Sequence, residues 1–187
     1  MTKQLGFLMN LDKCLGCRGC AMACQNERPH QTIAYRRITK LESHPQSFFG
    51  FLSMACNHCV YPACIRACPQ GCFKKRRDGI VVHNPLRCTG CHTCTGACPF
   101  QVPRINPVTK KVEKCDFCLH RQEKGLKPAC VEACIVNALK IINLSEELPE
   151  HYQADLPGFM ALKLTKPATR FILPETQTVH RYWIKEE

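Results

Sequence analysis

No run of eighteen apolar residues occurs in this sequence, so none of it is expected to cross a membrane as a helix. The opening residues, MTKQLGFLMNLDKC, lack an apolar core and a small-residue cleavage site, which excludes a secretory signal there. The expected location is the cytoplasm, or the periplasm or a membrane surface if a signal-bearing partner carries the protein across. Aromatic residues make up only 7%, with a single tryptophan, and leave little material for a large apolar core. No nucleophile, general base or open metal position stands out, so the protein is not expected to catalyse a reaction alone. Acidic residues are few: 15 against 26 Lys and Arg, a net charge of +11 over 187 residues.

What the sequence has in excess is cysteine, 17 in all. Disulfides suit short secreted proteins, and neither an odd count nor the missing leader fits them. Structural zinc would use two C-x2-C pairs separated by a longer loop. A triple C-x2-C-x2-C run leaves its middle thiol without a tetrahedral role. Iron–sulfur clusters remain as the reading, with a zinc-stapled structural module as the distant rival.

Sixteen of the cysteines fall into four groups. The first is Cys14, Cys17, Cys20 and Cys24. The second is Cys56, Cys59, Cys64 and Cys68. The third is Cys88, Cys91, Cys94 and Cys98, and the fourth Cys115, Cys118, Cys130 and Cys134. Groups one and three have the C-x2-C-x2-C-x3-C spacing of bacterial ferredoxins. Groups two and four widen only the middle gap. Three thiols spaced by two residues wrap one cube, whereas a cysteine four residues after the third is carried away to a neighbouring cluster. Pro69 and Pro99 follow the last cysteine of the two inner groups and stop a helix there. Gln25 and Ile135 stand at the equivalent outer positions, where longer helices are expected.

The order of the groups resembles a known family, as do CNHC…PAC…ACP at 56–69, DGIVVHNPLRCTGC at 78–91 and KCDFC…PACVEAC at 114–134. These are the four-cluster, ferredoxin-like electron-transfer subunits of molybdopterin oxidoreductases of the dimethyl sulfoxide reductase type. Polysulfide, thiosulfate and arsenate reductases and formate dehydrogenases have similar subunits. The likeness covers roughly residues 5–142. It implies four [4Fe–4S] clusters with nested pairing. Cys14, Cys17, Cys20 and Cys134 would hold the first, and Cys115, Cys118, Cys130 and Cys24 the second. Cys56, Cys59, Cys64 and Cys98 would hold the third, and Cys88, Cys91, Cys94 and Cys68 the fourth. Some relatives lack the second cysteine of group three and carry [3Fe–4S] there; Cys91 implies a full cube here. Cys72, outside the pattern, reads as a small buried side chain beside a cluster.

The expected fold is α+β, two nested bacterial-ferredoxin-like halves with a C-terminal extended arm. Residues 1–50 plus 100–144 would form the outer half, 51–99 the inner half and 145–187 the arm. Short strands are expected at Gln4–Asn10, Gly50–Met54, Gly79–His83, Lys111–Lys114 and Leu139–Asn143. Short helices should follow each third cysteine. KKRR at 74–77, before Asp78-Gly79, reads as a hairpin turn. Phe159, Leu162, Leu164, Phe171, Ile172, Leu173, Tyr182 and Trp183 make the arm apolar enough to lie on its own domain and on a partner.

Four clusters, each about −2 when oxidised, offset about eight of the +11 charges. The case for a nucleic-acid partner then disappears. Arg18, Arg66, Arg87 and Lys114 lie beside ligands and are candidates for raising potentials. His58 and His92, inside cluster loops, are expected to hydrogen-bond or pack. The resemblance implies one-electron relay between a molybdenum or tungsten pterin catalytic subunit and a membrane quinol subunit or another redox partner. A soluble polyferredoxin-type carrier stays open, as does the wire subunit of a soluble tungsten aldehyde or acyl oxidoreductase.

Overall fold

The computed structural model describes residues 3–28, 32–43, 48–156 and 164–174. In chain order its elements are β1 (Leu5–Asn10), α1 (Gly19–Asn26), β2 (Arg37–Ser43), β3 (Phe48–Met54), α2 (Ala63–Arg66), β4 (Phe73–Lys75) and β5 (Val81–His83). There follow α3 (Thr93–Ala97), β6 (Arg104–Ile105), β7 (Val112–Glu113), α4 (Leu119–Gln122), α5 (Ala129–Glu132), β8 (Leu139–Asn143) and β9 (Arg170–Ile172). This is a mixed α+β arrangement of short pieces. Each of the five expected strands has a counterpart among them.

β1 reads LGFLMN and is buried along nearly its whole length. It is the centre strand of the sheet β8-β1-β9, so both its edges are paired, and its continuous burial shows that both faces are covered as well. β8 pairs with it antiparallel, with Phe7 opposite Ile141. β9 pairs with it in parallel, with Met9 opposite Phe171. The main core gathers here, around Leu5, Phe7, Met9, Ile80, Phe117 and Phe171, and it includes Cys24 and Cys130.

The helices begin one residue before each group's third cysteine rather than after it: Cys20, Cys64, Cys94 and Cys130 all sit second in their helix. α1 runs through Gln25 as expected. α5 does not reach Ile135; it ends at Glu132 because the backbone turns back at once, with Asn137 at φ 52. Asn10 N–H then bonds to Ala138 O at 2.8 Å, which sets the entry into β8. α1 packs on α5, and α2 packs on α3.

β2 and β3 form a hairpin that runs across position 50, where an outer half was expected to end. β4 takes in Lys74 and Lys75 of KKRR, and the turn to β5 follows at Arg76–Ile80. Lys75 is more than surface charge: its Nζ donates to Cys59 O at 3.1 Å and Val60 O at 2.9 Å.

In the arm, Leu156, Ala168 and Phe171 are buried, whereas Leu164 is exposed. The backbone of this segment ties two regions together. Val60 N–H bonds to Lys166 O, Tyr61 N–H to Thr165 O and Ala168 N–H to Asn57 O, all within 2.9 Å. Phe159, Leu162, Tyr182 and Trp183 lie outside the described residues. Among the described residues, no helix is long and apolar enough to cross a membrane.

Candidate metal centres

The loops that carry the cysteines share one backbone device. The residue two past each group's first cysteine is left-handed: Gly16 at φ 66, His58 at 42, Gly90 at 74 and Phe117 at 67. Such angles strain any residue but glycine, so His58 and Phe117 are held there by their surroundings. The turn aims an N–H at the cysteine sulfur. His58 N–H reaches Cys56 Sγ at 3.5 Å, and Phe117 N–H reaches Cys115 Sγ at 3.4 Å. Gly16 N–H does the same for Cys14. At Gly90 a side chain would also run into the Lys110 carbonyl oxygen.

The fold sets thiols of different groups near one another in four neighbourhoods, the first to fourth quartets: Cys134 near Cys14, Cys17 and Cys20; Cys24 near Cys115, Cys118 and Cys130; Cys98 with Cys56, Cys59 and Cys64; and Cys68 with Cys88, Cys91 and Cys94. Burial raises the Cys14 thiol, and the charges of Cys20, Cys134 and Cys17 raise it further. Burial pushes Cys24 up to about 12, with Cys115, Cys130 and Cys118 adding to it. Cys56, Cys59, Cys64 and Cys98 line one cavity. Cys68, Cys88, Cys91 and Cys94 line another. Burial pushes Cys94 to about 11, helped by Cys68, Cys88 and Cys91. Thiols this crowded and buried ionise only against a strong positive centre. All-thiol quartets are the donor set of iron–sulfur sites.

The quartets also neighbour one another in a series. α1 carries Cys20 to the first and Cys24 to the second, while α5 carries Cys130 to the second and leads to Cys134 in the first. Cys115 of the second quartet feels the charge of Cys56 in the third. α2 and α3, each leading from one cysteine to another four residues on, link the third and fourth. The two end quartets have exposed members, Cys17 and Cys91. In the second quartet, Cys24, Cys115, Cys118 and Cys130 are all buried.

Three polar side chains fill the interior between quartets. Arg36 is only 2% exposed and was not apparent from the sequence. Its Nη1 donates to Ser53 O at 3.1 Å and Ser53 Oγ at 3.0 Å, and the guanidinium lies 4.7 Å over the Phe7 ring. Burial alone would lower its affinity for a proton, but Cys130, Cys115, Cys20 and Cys24 more than reverse that. Its Nε and Nη2 meet no oxygen or nitrogen acceptor among the described residues, and the guanidinium hydrogen-bonds the Cys130 thiol instead. Buried donors turned toward ligand sulfur suit an anionic acceptor beside it. Inorganic sulfide between the first and second quartets fits that need.

His58 is fully buried. Its Nδ1 accepts from Val81 N–H at 3.0 Å, which puts the ring proton on Nε2, 3.9 Å from Cys115 Sγ. Burial holds the ring neutral, and Lys114, Arg36 and Lys75 reinforce this. Lys114 is buried and donates to Val81 O and Cys115 O. Of the four basic residues singled out beside ligands, it alone is interior; Arg18, Arg66 and Arg87 are exposed. His92 is exposed and takes φ 64 at the start of α3.

Replacing Arg36 by Met should therefore lower the potentials of the first and second centres. Loss of ~1.4 kcal/mol of charge stabilisation shifts a one-electron couple by about 59 mV. An EPR redox titration that finds both potentials unmoved would remove Arg36 from this role.

Residues 47–144 match the family model described as a 4Fe-4S dicluster domain. The sequence is 35% identical over 185 residues to one of the chains of the anaerobic dimethyl sulfoxide reductase of Escherichia coli K12, covering 93% of this protein and 87% of the relative. It is 39% identical over 140 residues to one of the subunits of the tetrathionate reductase of Salmonella typhimurium LT2, covering 72% of this protein and 56% of the relative. An uncharacterized ferredoxin-like protein, YdhX of Escherichia coli K12, is 40% identical over 174 residues, covering 83% and 77%.

Proposed function

Because this protein belongs to the iron–sulfur electron-transfer subunits of dimethyl sulfoxide reductase-type molybdopterin oxidoreductases, we propose that it relays single electrons through four [4Fe–4S] clusters held in the nested order. The relay would run between a molybdenum or tungsten pterin subunit and a membrane quinol subunit. The first cluster is assigned to Cys14, Cys17, Cys20 and Cys134, the second to Cys115, Cys118, Cys130 and Cys24. The third is assigned to Cys56, Cys59, Cys64 and Cys98, the fourth to Cys88, Cys91, Cys94 and Cys68. One observation supports the reading: Cys134, Cys24, Cys98 and Cys68 each lie among thiols of another group, as a fourth ligand handed to a neighbouring cluster requires.

A thiolate-ligated [4Fe–4S] cluster supplies reversible one-electron chemistry when bound. The polypeptide does the rest. Its left-handed loops present N–H groups to ligand sulfurs and so stabilise added negative charge. Arg36 places buried positive charge beside the first and second quartets, and Lys114 beside the second and third. The buried second quartet keeps water from the inner stations, while Cys17 and Cys91 bring the two ends to the surface. Leu15, Met22 and Ile135, 62%, 59% and 79% exposed, lie next in sequence or on helix faces by the first quartet and offer apolar contact to a partner. Leu86, 87% exposed, does the same near the fourth. The outer half would face the pterin subunit, as in the family.

A direct test is to isolate the native complex anaerobically. The protein should copurify with a large pterin-bearing subunit and carry about sixteen irons, four in each of four clusters. A lone monomer with full iron would favour a free carrier instead, and a colourless zinc protein would end the reading.

A further inference from the structure

Cys72 is the one cysteine that the four quartets leave out. It sits in the bend before β4, only 4% exposed. Its N–H donates to Cys68 Sγ at 3.3 Å, and its carbonyl accepts from Asn84 N–H at 2.8 Å. The second bond sets Cys72 against the end of β5, where His83 pairs with Phe73. The His83 ring leans on the Phe73 ring, with centroids 4.7 Å apart. Its Nε2 is buried and has no hydrogen-bond partner among the described residues. The Cys72 sulfur, a His83 ring nitrogen and Cys88 Sγ all lie within 4.8 Å of one another. They line the same cavity as Cys68, Cys91 and Cys94.

That spacing has a specific meaning. Two sulfurs bound to one tetrahedral metal at about 2.3 Å each are under ~4 Å apart. Sulfurs on different corners of a cube stand farther apart. Cys72, His83 and Cys88, within 4.8 Å of one another, stand nearer to the first spacing than to that of separate corners, so a small side-chain shift brings them onto a single iron. Thiolate and imidazole are both iron ligands, with thiolate the softer and stronger.

We propose that Cys72, backed by His83, is a reserve ligand for the iron corner held by Cys88, and keeps that iron in the cluster when Cys88 lets go. This rests on the assignment of Cys68, Cys88, Cys91 and Cys94 to one cluster. The swap breaks one iron–sulfur bond and makes another. The Cys72 proton passes to the departing Cys88 sulfur, so charge and oxidation state are unchanged. A reserve is useful at this quartet because Cys91 opens it to solvent.

Iron content and EPR of the anaerobically prepared full-length protein test it. The parent protein should carry about sixteen irons, four per cluster; far fewer would overturn the cluster assignment itself, whatever Cys72 does. With that established, Cys88→Ala should retain the full iron content with one altered cluster spectrum. Cys88→Ala combined with Cys72→Ala should lose between one iron and one whole cluster. Cys94→Ala, around which no such trio occurs among the described residues, should lose iron with Cys72 intact. If Cys88→Ala alone loses as much iron as the double variant, the reserve role is overturned. If Cys88→Ala gives no folded holoprotein, Cys88→Ser decides: iron that falls when Cys72 is also removed supports the proposal, and iron indifferent to Cys72 overturns it.

Discussion

Stripping the iron from the protein under reducing, anaerobic conditions should abolish its cooperative fold. The reason lies in how little else holds it. The second core consists of Cys64, Cys72, Phe73, Val81, Cys94 and Val112, so half of its six buried residues are cysteines. α2, α4 and α5 have four residues each and α3 has five, far below what stands alone in water. Left-handed His58 and Phe117 cost strain that only an ordered loop offsets. Arg36 and Lys114 are buried cations, and without negative clusters between them the interior carries uncompensated charge. Ligation free energy is folding free energy in small metal domains, on the order of 10 kcal/mol per site. The expected result is loss of a cooperative thermal transition together with the visible absorbance. An iron-free protein that still melts sharply would show that the apolar core suffices, and would break this account.

The second large effect is expected at Cys91. Replacing it by Ser offers a harder, weaker ligand to a soft site. One iron of the fourth cluster should become labile, seen as a changed EPR spectrum and a lower iron count. Turnover driven by a donor that enters at the fourth station should fall by roughly tenfold or more, the effect of about 1.4 kcal/mol on a barrier. A donor that enters nearer Cys17 bypasses the lesion and should be slowed far less. The position of Cys91 carries this prediction: it is exposed, at one end of the series, with its sulfur 3.4 Å from Thr93 Oγ1 and no second quartet beyond it. Equal slowing with both donors would count against the proposed order of stations.

The four cysteine groups, the α+β character and five of the strands were legible because each is a local pattern. A spacing or an alternation is complete within a dozen residues. Arg36 was not legible for the opposite reason. Its partners come from Ser53, Phe7, Cys20 and Cys130, and nothing beside it in sequence announces them. β9 was missed because its pairing is parallel and joins residues 8 and 170, across almost the whole sequence. β6 has two residues, too short for any periodicity to show. The helices start before the third cysteine and not after it because the αL residues Arg18 and His92 and the prolines Pro62 and Pro128 set their starts, not the cysteines. Lys75 looked like turn charge from its neighbours, yet the hairpin folds it inward onto two carbonyl groups of the second cysteine group.

The place of β1 in its sheet has a consequence for synthesis. It leaves the ribosome more than a hundred residues before its two partners, β8 and β9. Until residue 172 emerges, the strand LGFLMN has an open hydrogen-bonding edge and a sticky face. Nascent polypeptides should therefore carry an unpaired apolar strand through the synthesis of the whole middle segment. A stop codon anywhere before β9 leaves that edge uncovered, so prematurely ended products should be cleared or aggregate rather than persist as shorter working proteins.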